Sequence, residues 1–464
     1  MIDKIKHIHF IGIGGVGMSA LALVLLKRGF DVSGSDISNG AIQAHLASEG
    51  AIVFIGHDPC QLRDAEAVVV SSAIKEENPE LIEAKKRGIA VYHRSDILAY
   101  LLNDVKGIAV AGAHGKTTTS SMLACICNDC NVDPTIIIGG MVNKLNGNAR
   151  NGKSDILVAE ADESDGSFLK FTPYIAIVTN IEDDHLDHYG TIENIYQAFK
   201  MFSNNVKIGG KAVLCVDNKT VARLSKETKT SFVTYGIKNE LADYFAKNIE
   251  FSIGKTTYDL YYKGKFISKV MIQLPGLYNV LNSMAAIIAA SIVDIPLKEI
   301  IKSLANFEGT KRRFETKGKI NSVWVVDDYA HHPTEIKAVL KAAKDTNPKK
   351  CICIFQPHRY SRTKLLLEEF ANAFVDCDEL ILADIYAASE KPIEGIDSEL
   401  LAAKIQELTG KKVKCIASFD LIRDYILKAV EPGYLVMTVG AGNVYQIGEM
   451  CIKALKERYS NEEC

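Results

Sequence analysis

The sequence predicts an α/β protein of three successive domains, each built on a mostly parallel sheet: residues 1–106, 107–310 and 311–464. Three observations carry this. Short apolar, β-branched runs alternate with helical patterns along the chain, as parallel sheets require. Glycine-rich turns stand between strand and helix early in the first and second segments. Polar clusters recur where apolar strands end, at 160–165, 180–185, 327–332 and 356–362, and ligands of open α/β sheets collect at strand carboxyl ends. A length of 464 residues gives about three domains at ~150 residues each.

Composition removes several function classes. A hydrophobic share of 47% and a charged share of 24% describe an ordinary globular chain. A formal net charge of −3 argues against nucleic acid and anionic membrane as partners. No apolar run approaches the ~20 residues of a membrane span, so no membrane insertion is expected. The first apolar run is too short and too interrupted by glycine for a signal peptide. Eleven cysteines, scattered through strand and helix patterns, read as reduced thiols of a cytoplasmic protein. Cys125, Cys127 and Cys130, or Cys351 and Cys353, are spaced like metal ligands. However, 125 and 127 fall on different helix faces, and 351 and 353 lie in an apolar strand, so they read as small buried hydrophobes.

In the first segment, His7–Ile13 is a strand, Gly12-Ile-Gly14-Gly15-Val-Gly17 a turn and Met18–Arg28 a helix. A second strand, Asp31–Gly34, leads to Asp36. Gly-x-Gly-x-x-Gly opening a helix, with an acid about 20 residues on, is the Rossmann fingerprint. The loop reads a diphosphate, not what is attached to it, so NAD and other nucleotides both fit. Val68–Ser72 is a third strand, ending in Ser71 and Ser72. Leu81–Arg87 and Ser95–Leu102 read as helices around a strand at Ile89–Tyr92. A boundary falls near Asn103–Gly107.

The second segment opens on a buried strand, Ile108–Ala111. The turn Gly112-Ala113-His114-Gly115 follows, and Lys116-Thr117-Thr118 start a helix to about Asn128. Strand, glycine turn and Lys-Thr at a helix start form a phosphate-binding loop, here with Val110 in place of its usual first glycine. Lys116 would reach β- and γ-phosphates and the Thr117 hydroxyl a Mg²⁺ ion. Thr135–Ile138 is the next strand. Ile156–Ala159 then delivers Glu160, Asp162, Glu163 and Asp165, a cluster that repels itself unless a cation sits in it. Ile175–Thr179 leads to Glu182, Asp183, Asp184 and His185. Glu160 and His185 beside Thr117 make a candidate Mg²⁺ site. Thr256–Tyr262 and Lys265–Leu274 alternate like a hairpin about Lys263-Gly264. Asn279 and Asn282 precede an Ala-rich helix, Ser283–Ile292; their amides suit a purine edge or a helix cap. Gly309 beside Lys311, Arg312 and Arg313 reads as a hinge that touches phosphates or as a solvated basic linker.

The third segment is βα again. Val323–Val326 is followed by Asp327-Asp328-Tyr329-Ala-His331-His332-Pro333, and Cys351–Phe355 by Gln356-Pro-His358-Arg359-Tyr360-Ser361-Arg362-Thr363. Glu379–Ala383, Val413–Ile416 and Tyr434–Val439 are further strands. Asp328 and His331 suit acid–base or phosphate-steering work, and Arg359 and Arg362 suit carboxylate or phosphate. No Gly-x-Ser-x-Gly or Cys-His nucleophile setting occurs.

Two nucleotide loops, an acid–histidine cluster and an arginine-bearing third domain, in this order, resemble the Mur ligase family over essentially the whole chain. The motifs are Gly12-Ile-Gly-Gly-Val-Gly-Met18-Ser19, Gly112-Ala-His-Gly-Lys-Thr-Thr118, Glu160-Ala-Asp-Glu-Ser-Asp165, Thr179-Asn-Ile-Glu-Asp-Asp-His185, Asp327-Asp-Tyr-Ala-His-His-Pro-Thr-Glu335 and Gln356-Pro-His-Arg-Tyr-Ser-Arg-Thr363. The chain departs from the family at Tyr278, where a histidine often precedes the asparagine; an aromatic ring can still stack on a base.

The resemblance implies a Rossmann-like first domain, a central domain like P-loop ATPases with an added hairpin, and a Rossmann-like last domain. It implies that the first domain binds the UDP end of a sugar nucleotide rather than NAD, through Gly12, Gly14, Gly15, Gly17, Met18, Ser19, Asp36, Ser71 and Ser72. ATP falls on Gly112, Ala113, His114, Gly115, Lys116, Thr117 and Thr118, assisted by Asn282, Arg312 and Arg313. Mg²⁺, with Mn²⁺ as a substitute, falls to Thr117, Glu160 and His185. Asp328, His331, Arg359 and Arg362 join Lys116 and His185 as catalytic groups when the last domain closes over ATP. Tyr329, His358 and Arg359 lie near the amino acid. The implied activity is ATP-dependent amide formation in peptidoglycan, hence cell-wall, synthesis by a cytoplasmic monomer or homodimer. The Gln356–Thr363 run favours addition of L-alanine to the carboxylate of UDP-N-acetylmuramate over the family's murein-peptide recycling reaction. A dehydrogenase built on the first loop would leave the second loop unexplained. A nucleotide-gated binding module would leave the acids, histidines and arginines unexplained.

Overall fold

The computed structural model describes residues 2–145 and 147–460. The chain forms two compact units. One comprises Met1–Lys247, Asp259–Ser268 and Leu281–Phe307, the other Asn248–Tyr258, Lys269–Val280 and Glu308–Cys464.

The first unit contains two sheets. The strands β1 (His7–Ile11), β2 (Asp31–Asp36), β3 (Ile52–Ile55), β4 (Ala67–Val70) and β5 (Ala90–His93) lie in the order β3-β2-β1-β4-β5, every pair parallel. β1 stops two residues before its expected end, because Gly12 takes φ 80 and the Gly12 and Ile13 amides both donate to Ser35 O. The central sheet follows with β6 (Lys106–Ala111), β7 (Thr135–Val142), β8 (Gly147–Arg150), β9 (Ile156–Glu160), β10 (Ile175–Val178), β11 (Lys211–Cys215) and β12 (Phe232–Gly236), in the order β12-β11-β10-β6-β9-β7-β8. Only β7–β8 among these pairs is antiparallel. β13 (Tyr244–Ser252) pairs parallel with β12. β14 (Lys255–Tyr262) and β15 (Lys265–Ile272) flank the turn at Lys263 and Gly264, both at positive φ, as a tight hairpin needs.

Ile108–Ala111, Leu157–Ala159 and Ile175–Val178 are wholly buried, as expected of parallel strands covered on both faces. One apolar core runs from Leu21, Val24 and Leu25 to Phe168, Phe199 and Phe202, so the first two sheets share their packing. Register does the positioning. Ile108 pairs with Val158 on one side and Ile175 on the other, which brings the carboxyl ends of β6, β9 and β10 side by side.

In the second unit, β16 (Glu315–Ile320), β17 (Val323–Asp328), β18 (Lys350–Phe355), β19 (Glu379–Leu382), β20 (Val413–Cys415) and β21 (Tyr434–Val439) lie in the order β16-β17-β21-β18-β19-β20. β16 is antiparallel to β17; the other pairs are parallel. Val439 pairs with both Asp328 and Phe355, so the segments after β17, β18 and β21 gather at one edge.

Candidate active site

The loop after β6 is braced by its neighbour. A Cβ on Gly112 (φ 135) would lie 2.1 Å from Thr179 Oγ1, so glycine lets the end of β10 press against the loop. The Thr179 hydroxyl donates to His114 O at 2.6 Å, and the Asn180 side chain both accepts from His114 N and donates to His114 O, each at 2.9 Å. On the other side, a Cβ on Gly115 would sit 2.5 Å from Asn282 Oδ1, which accepts the Thr119 hydroxyl. The helix Lys116–Asp129 carries no side-chain cap at its start, so its first amides and dipole are available to an anion.

Lys116 folds back over this loop. Its ammonium donates to Gly112 O at 2.6 Å and to Glu163 Oε1 at 2.8 Å. Burial pulls its pKa down, but Glu163, Asp162 and Glu160 outweigh burial and hold it above the ordinary lysine value. Burial pushes the Glu163 carboxyl up against the pull of Lys116. Asp162 is held down at about 2 despite burial, by Ser164 and by Arg94, whose guanidinium lies 2.6 Å away. Thr117 donates to Glu160 Oε2 at 3.1 Å and Ser120 to Oε1 at 3.3 Å. His185, at φ 60, turns its Nε2 toward Asp184 (3.6 Å) and Glu163 (3.8 Å). Thr117 and Glu160 are thus in direct contact, while His185 stands against Glu163.

Among the described residues no three His, Cys, Asp or Glu side chains form a ready metal cluster. The donor set nevertheless fits a hard cation: the Thr117 hydroxyl and the Glu160 carboxylate touch, and the buried Glu163 Oε2 has no hydrogen-bond partner. The cysteines lie elsewhere. Burial pushes the thiols of Cys125 and Cys127 up to about 12.

The first sheet carries the other loop. Gly14 N donates to Asp36 Oδ2 at 2.9 Å, and a Cβ on Gly14 would come within 2.8 Å of that oxygen. The second Asp36 oxygen accepts from the Ser38 amide and hydroxyl. The helix opens at Val16, two residues earlier than its pattern suggests. A cavity of ~650 Å³ is lined by Gly12, Gly15, Met18, Asp36, Ser71 and, unexpectedly, His57. Ser19 is buried, its hydroxyl bonded to Val16 O. Ser72 faces Asp165, at 3.0 Å, rather than this cavity. Gly17 lines a second cavity of ~230 Å³ with Arg94, Lys116, Glu160 and Asp162, which runs from the first glycine loop to the second.

In the second unit, Asp328 belongs to β17 rather than to a loop. Its carboxyl accepts the Phe314 and Ala330 amides at 2.7 and 2.8 Å. Burial, only partly offset by Arg313 and these bonds, raises its pKa to about 7. His331 Nδ1 sits 3.1 Å from Tyr329 O, and its ring centroid is 6.0 Å from that of His358. Burial and the adjacent Arg362 drive His358 down to about 4, with Arg362 Nη1 3.2 Å from its Nδ1. Arg359 takes φ 71 and donates its amide to Tyr386 O. Arg312 is committed within the fold: it donates to Asp327, Gly440 O and Gly442 O at 2.6–3.2 Å. Both guanidinium groups lie over the Tyr329 ring, Arg312 at 5.0 Å and Arg313 at 5.4 Å. Asn279 bonds Pro275 O, and Tyr278 packs against the third sheet's core.

The Asp328 shift has a sign that can be checked. The folded state keeps the proton to about pH 7 and an unfolded aspartate loses it near 4, so this group withdraws stability as pH rises between those values. Asp328→Asn removes that slope. The Tm of the variant relative to wild type should therefore climb from pH 4 to 7, by the equivalent of ~4 kcal/mol at most. A difference that stays flat across the range contradicts the assignment.

Sequence motifs pointed to the two glycine loops and the acid cluster. They missed Thr179 and Asn180 as braces, Arg94, and the pair His57 and Glu80. The turn Gly56-His57-Asp58-Pro59 and the helix start Asn78-Pro79-Glu80 were the signals available for the last two.

A glycine loop with a lysine, facing acids at adjacent parallel strand ends and joined by a cavity to a second glycine loop, is the layout of an α/β enzyme built around two glycine loops. The chain belongs to the Mur ligase family. The family's three parts match it in order: "Mur ligase family, catalytic domain" over residues 7–106, "Mur ligase middle domain" over 110–290 and "Mur ligase, glutamate ligase domain" over 312–442. It is 48% identical to the UDP-N-acetylmuramate–L-alanine ligase of Geotalea uraniireducens, over 98% of this chain and 99% of that one. Among solved structures it is similar to the UDP-N-acetylmuramate–alanine ligase of Thermotoga maritima, at 29% identity and a TM-score of 0.82, covering 98% and 99% of the two chains. A murein peptide ligase from Psychrobacter arcticus shares the fold, at 24% identity and a TM-score of 0.69, over 97% and 98%.

Proposed function

We propose that this protein joins L-alanine to the carboxylate of UDP-N-acetylmuramate at the expense of ATP, in the cytoplasmic stage of peptidoglycan synthesis. The observation that carries the reading is the parallel register that sets Lys116 and Thr117 against Glu160 and Glu163 at neighbouring strand ends. The 48% identical relative, matched over nearly the full length of both chains, supports the choice of substrates.

In this reading Lys116 exchanges Glu163 for the β- and γ-phosphates of ATP. The substrate carboxylate attacks the γ-phosphorus, ADP leaves, and an acyl phosphate forms. Charge spreads over the equatorial oxygens in that step, and the fixed loop amides and Lys116 meet it without reorganising. Thr117 and Glu160, with His185 nearby, would hold a Mg²⁺ ion, which supplies further neutralisation of phosphate charge. Alanine's amine then attacks the acyl carbon and phosphate departs. Arg359 and Arg362 suit the amino acid's carboxylate. His358, unprotonated above about pH 4, can accept from the amine without repelling it as a cation would.

The test is phosphate release from ATP with UDP-N-acetylmuramate and each amino acid in turn. Release should require both the sugar nucleotide and an amino acid, with L-alanine preferred. Release driven instead by a tripeptide or longer murein peptide would reject this reading in favour of recycling.

A further inference from the structure

A chain of polar groups runs through the otherwise apolar first sheet. Glu80, on the first turn of the helix Pro79–Arg87, is fully buried. Its Oε2 contacts Ser35 Oγ and, at 2.9 Å, His57 Nδ1; its Oε1 lies 3.4 Å from the buried His9 Nε2. Gln61, in the amide orientation that satisfies both of its ends, also donates to Oε1 at 2.8 Å. His9 Nδ1 in turn meets Ser33 Oγ at 2.8 Å. Burial pushes the Glu80 carboxyl up, yet the bonds from His9, Ser35 and His57 prevail and keep it below the usual carboxylate value. An ionised carboxylate only accepts, so His57 Nδ1 must carry the proton. In the neutral ring Nε2 then holds a lone pair. His57 lines the ~650 Å³ cavity beside Gly12, Gly15 and Asp36. Asp36 already receives Gly14 and Ser38 on its two oxygens.

We infer that His57 reads the nucleoside of the sugar nucleotide by accepting a hydrogen bond on Nε2, and that Glu80 is the positioning residue that fixes its tautomer and angle. This rests on the reading of the first domain as the seat of UDP. The donor is a ribose hydroxyl or the uracil imide N–H; both offer one proton to one lone pair.

The experiment is equilibrium binding of UDP to the full chain, with ATP affinity as the control for folding. His57→Phe should weaken UDP about tenfold, the scale of one lost hydrogen bond, and leave ATP affinity unchanged. His57→Gln, whose side-chain oxygen can offer an acceptor, should recover most of the loss. Glu80→Gln keeps the shape but allows the opposite tautomer, and should cost as much as His57→Phe. In turnover, KM for the sugar nucleotide rises while kcat holds. With 2′-deoxy-UDP and N3-methyl-UDP, the analogue that lacks the donor should lose affinity for wild type and not for His57→Phe. Unchanged UDP binding by His57→Phe, full binding by Glu80→Gln, or no analogue penalty in wild type overturns the inference. Failure of wild type to bind UDP at all would instead reject the reading of the domain.

Discussion

Lys116→Ala is expected to lower alanine-dependent ADP release about 10³-fold, the scale seen when a preorganised charge on a transferring phosphoryl group is removed. The substitution has a second consequence, because it strands Glu163, a carboxylate with little solvent and one orphaned oxygen. Removing one partner of a buried pair costs about 3–5 kcal/mol. Lys116→Ala/Glu163→Gln separates the two effects: stability should return and turnover should not. Urea unfolding and steady-state release on the same preparations provide both readings. Near-normal turnover in either variant would refute the role given to Lys116.

Arg312 and Arg313 are neighbours with opposite expected phenotypes. Arg312→Ala leaves Asp327 buried with Thr438 as its remaining side-chain partner, and should destabilise the second unit by about 3–5 kcal/mol. Arg313→Ala removes a guanidinium that lies over an aromatic face and is not tied to the carbonyls that hold Arg312. It should raise KM for ATP several-fold with less than ~1 kcal/mol lost in stability. If Arg312→Ala unfolds like wild type and has lost ATP affinity, the structural part assigned to Arg312 is wrong.

These two arginines show where local sequence reasoning stops. Both sit in one basic run, and nothing local distinguishes them. Arg312 finds its partners at Asp327, Gly440 and Gly442, more than a hundred residues away in two cases. Asp327 and Asp328 read as loop for the same reason: a strand end tolerates buried carboxyls only when distant groups satisfy them. By contrast, Ile108–Ala111 and Ile175–Val178 were legible because both faces are covered and the whole run is apolar. The helix Ala41–Ser48 and β3 were not read as elements, since β3 is half-exposed and the helix buries only Gln43 and Leu46. Three helices begin two or more residues earlier than their patterns, at Val16, Pro79 and Leu277, because glycine, proline or a polar residue near the first turn masks the periodicity. The glycine loops and acid cluster were readable from motif. So was the placing of Glu160 beside Thr117; the reach of Lys116 to Glu163 was not, since it follows from the β9-β6 register.

The grip of Thr179 and Asn180 on the His114 peptide has a kinetic corollary. The loop we propose for the triphosphate is already clamped at both rims by the chain's own side chains, so the entropy of ordering it is lost during folding rather than at capture. Encounter with ATP should therefore be a single fast phase without a slow isomerisation of that loop. Rigid phosphate mimics should then gain affinity from fit alone.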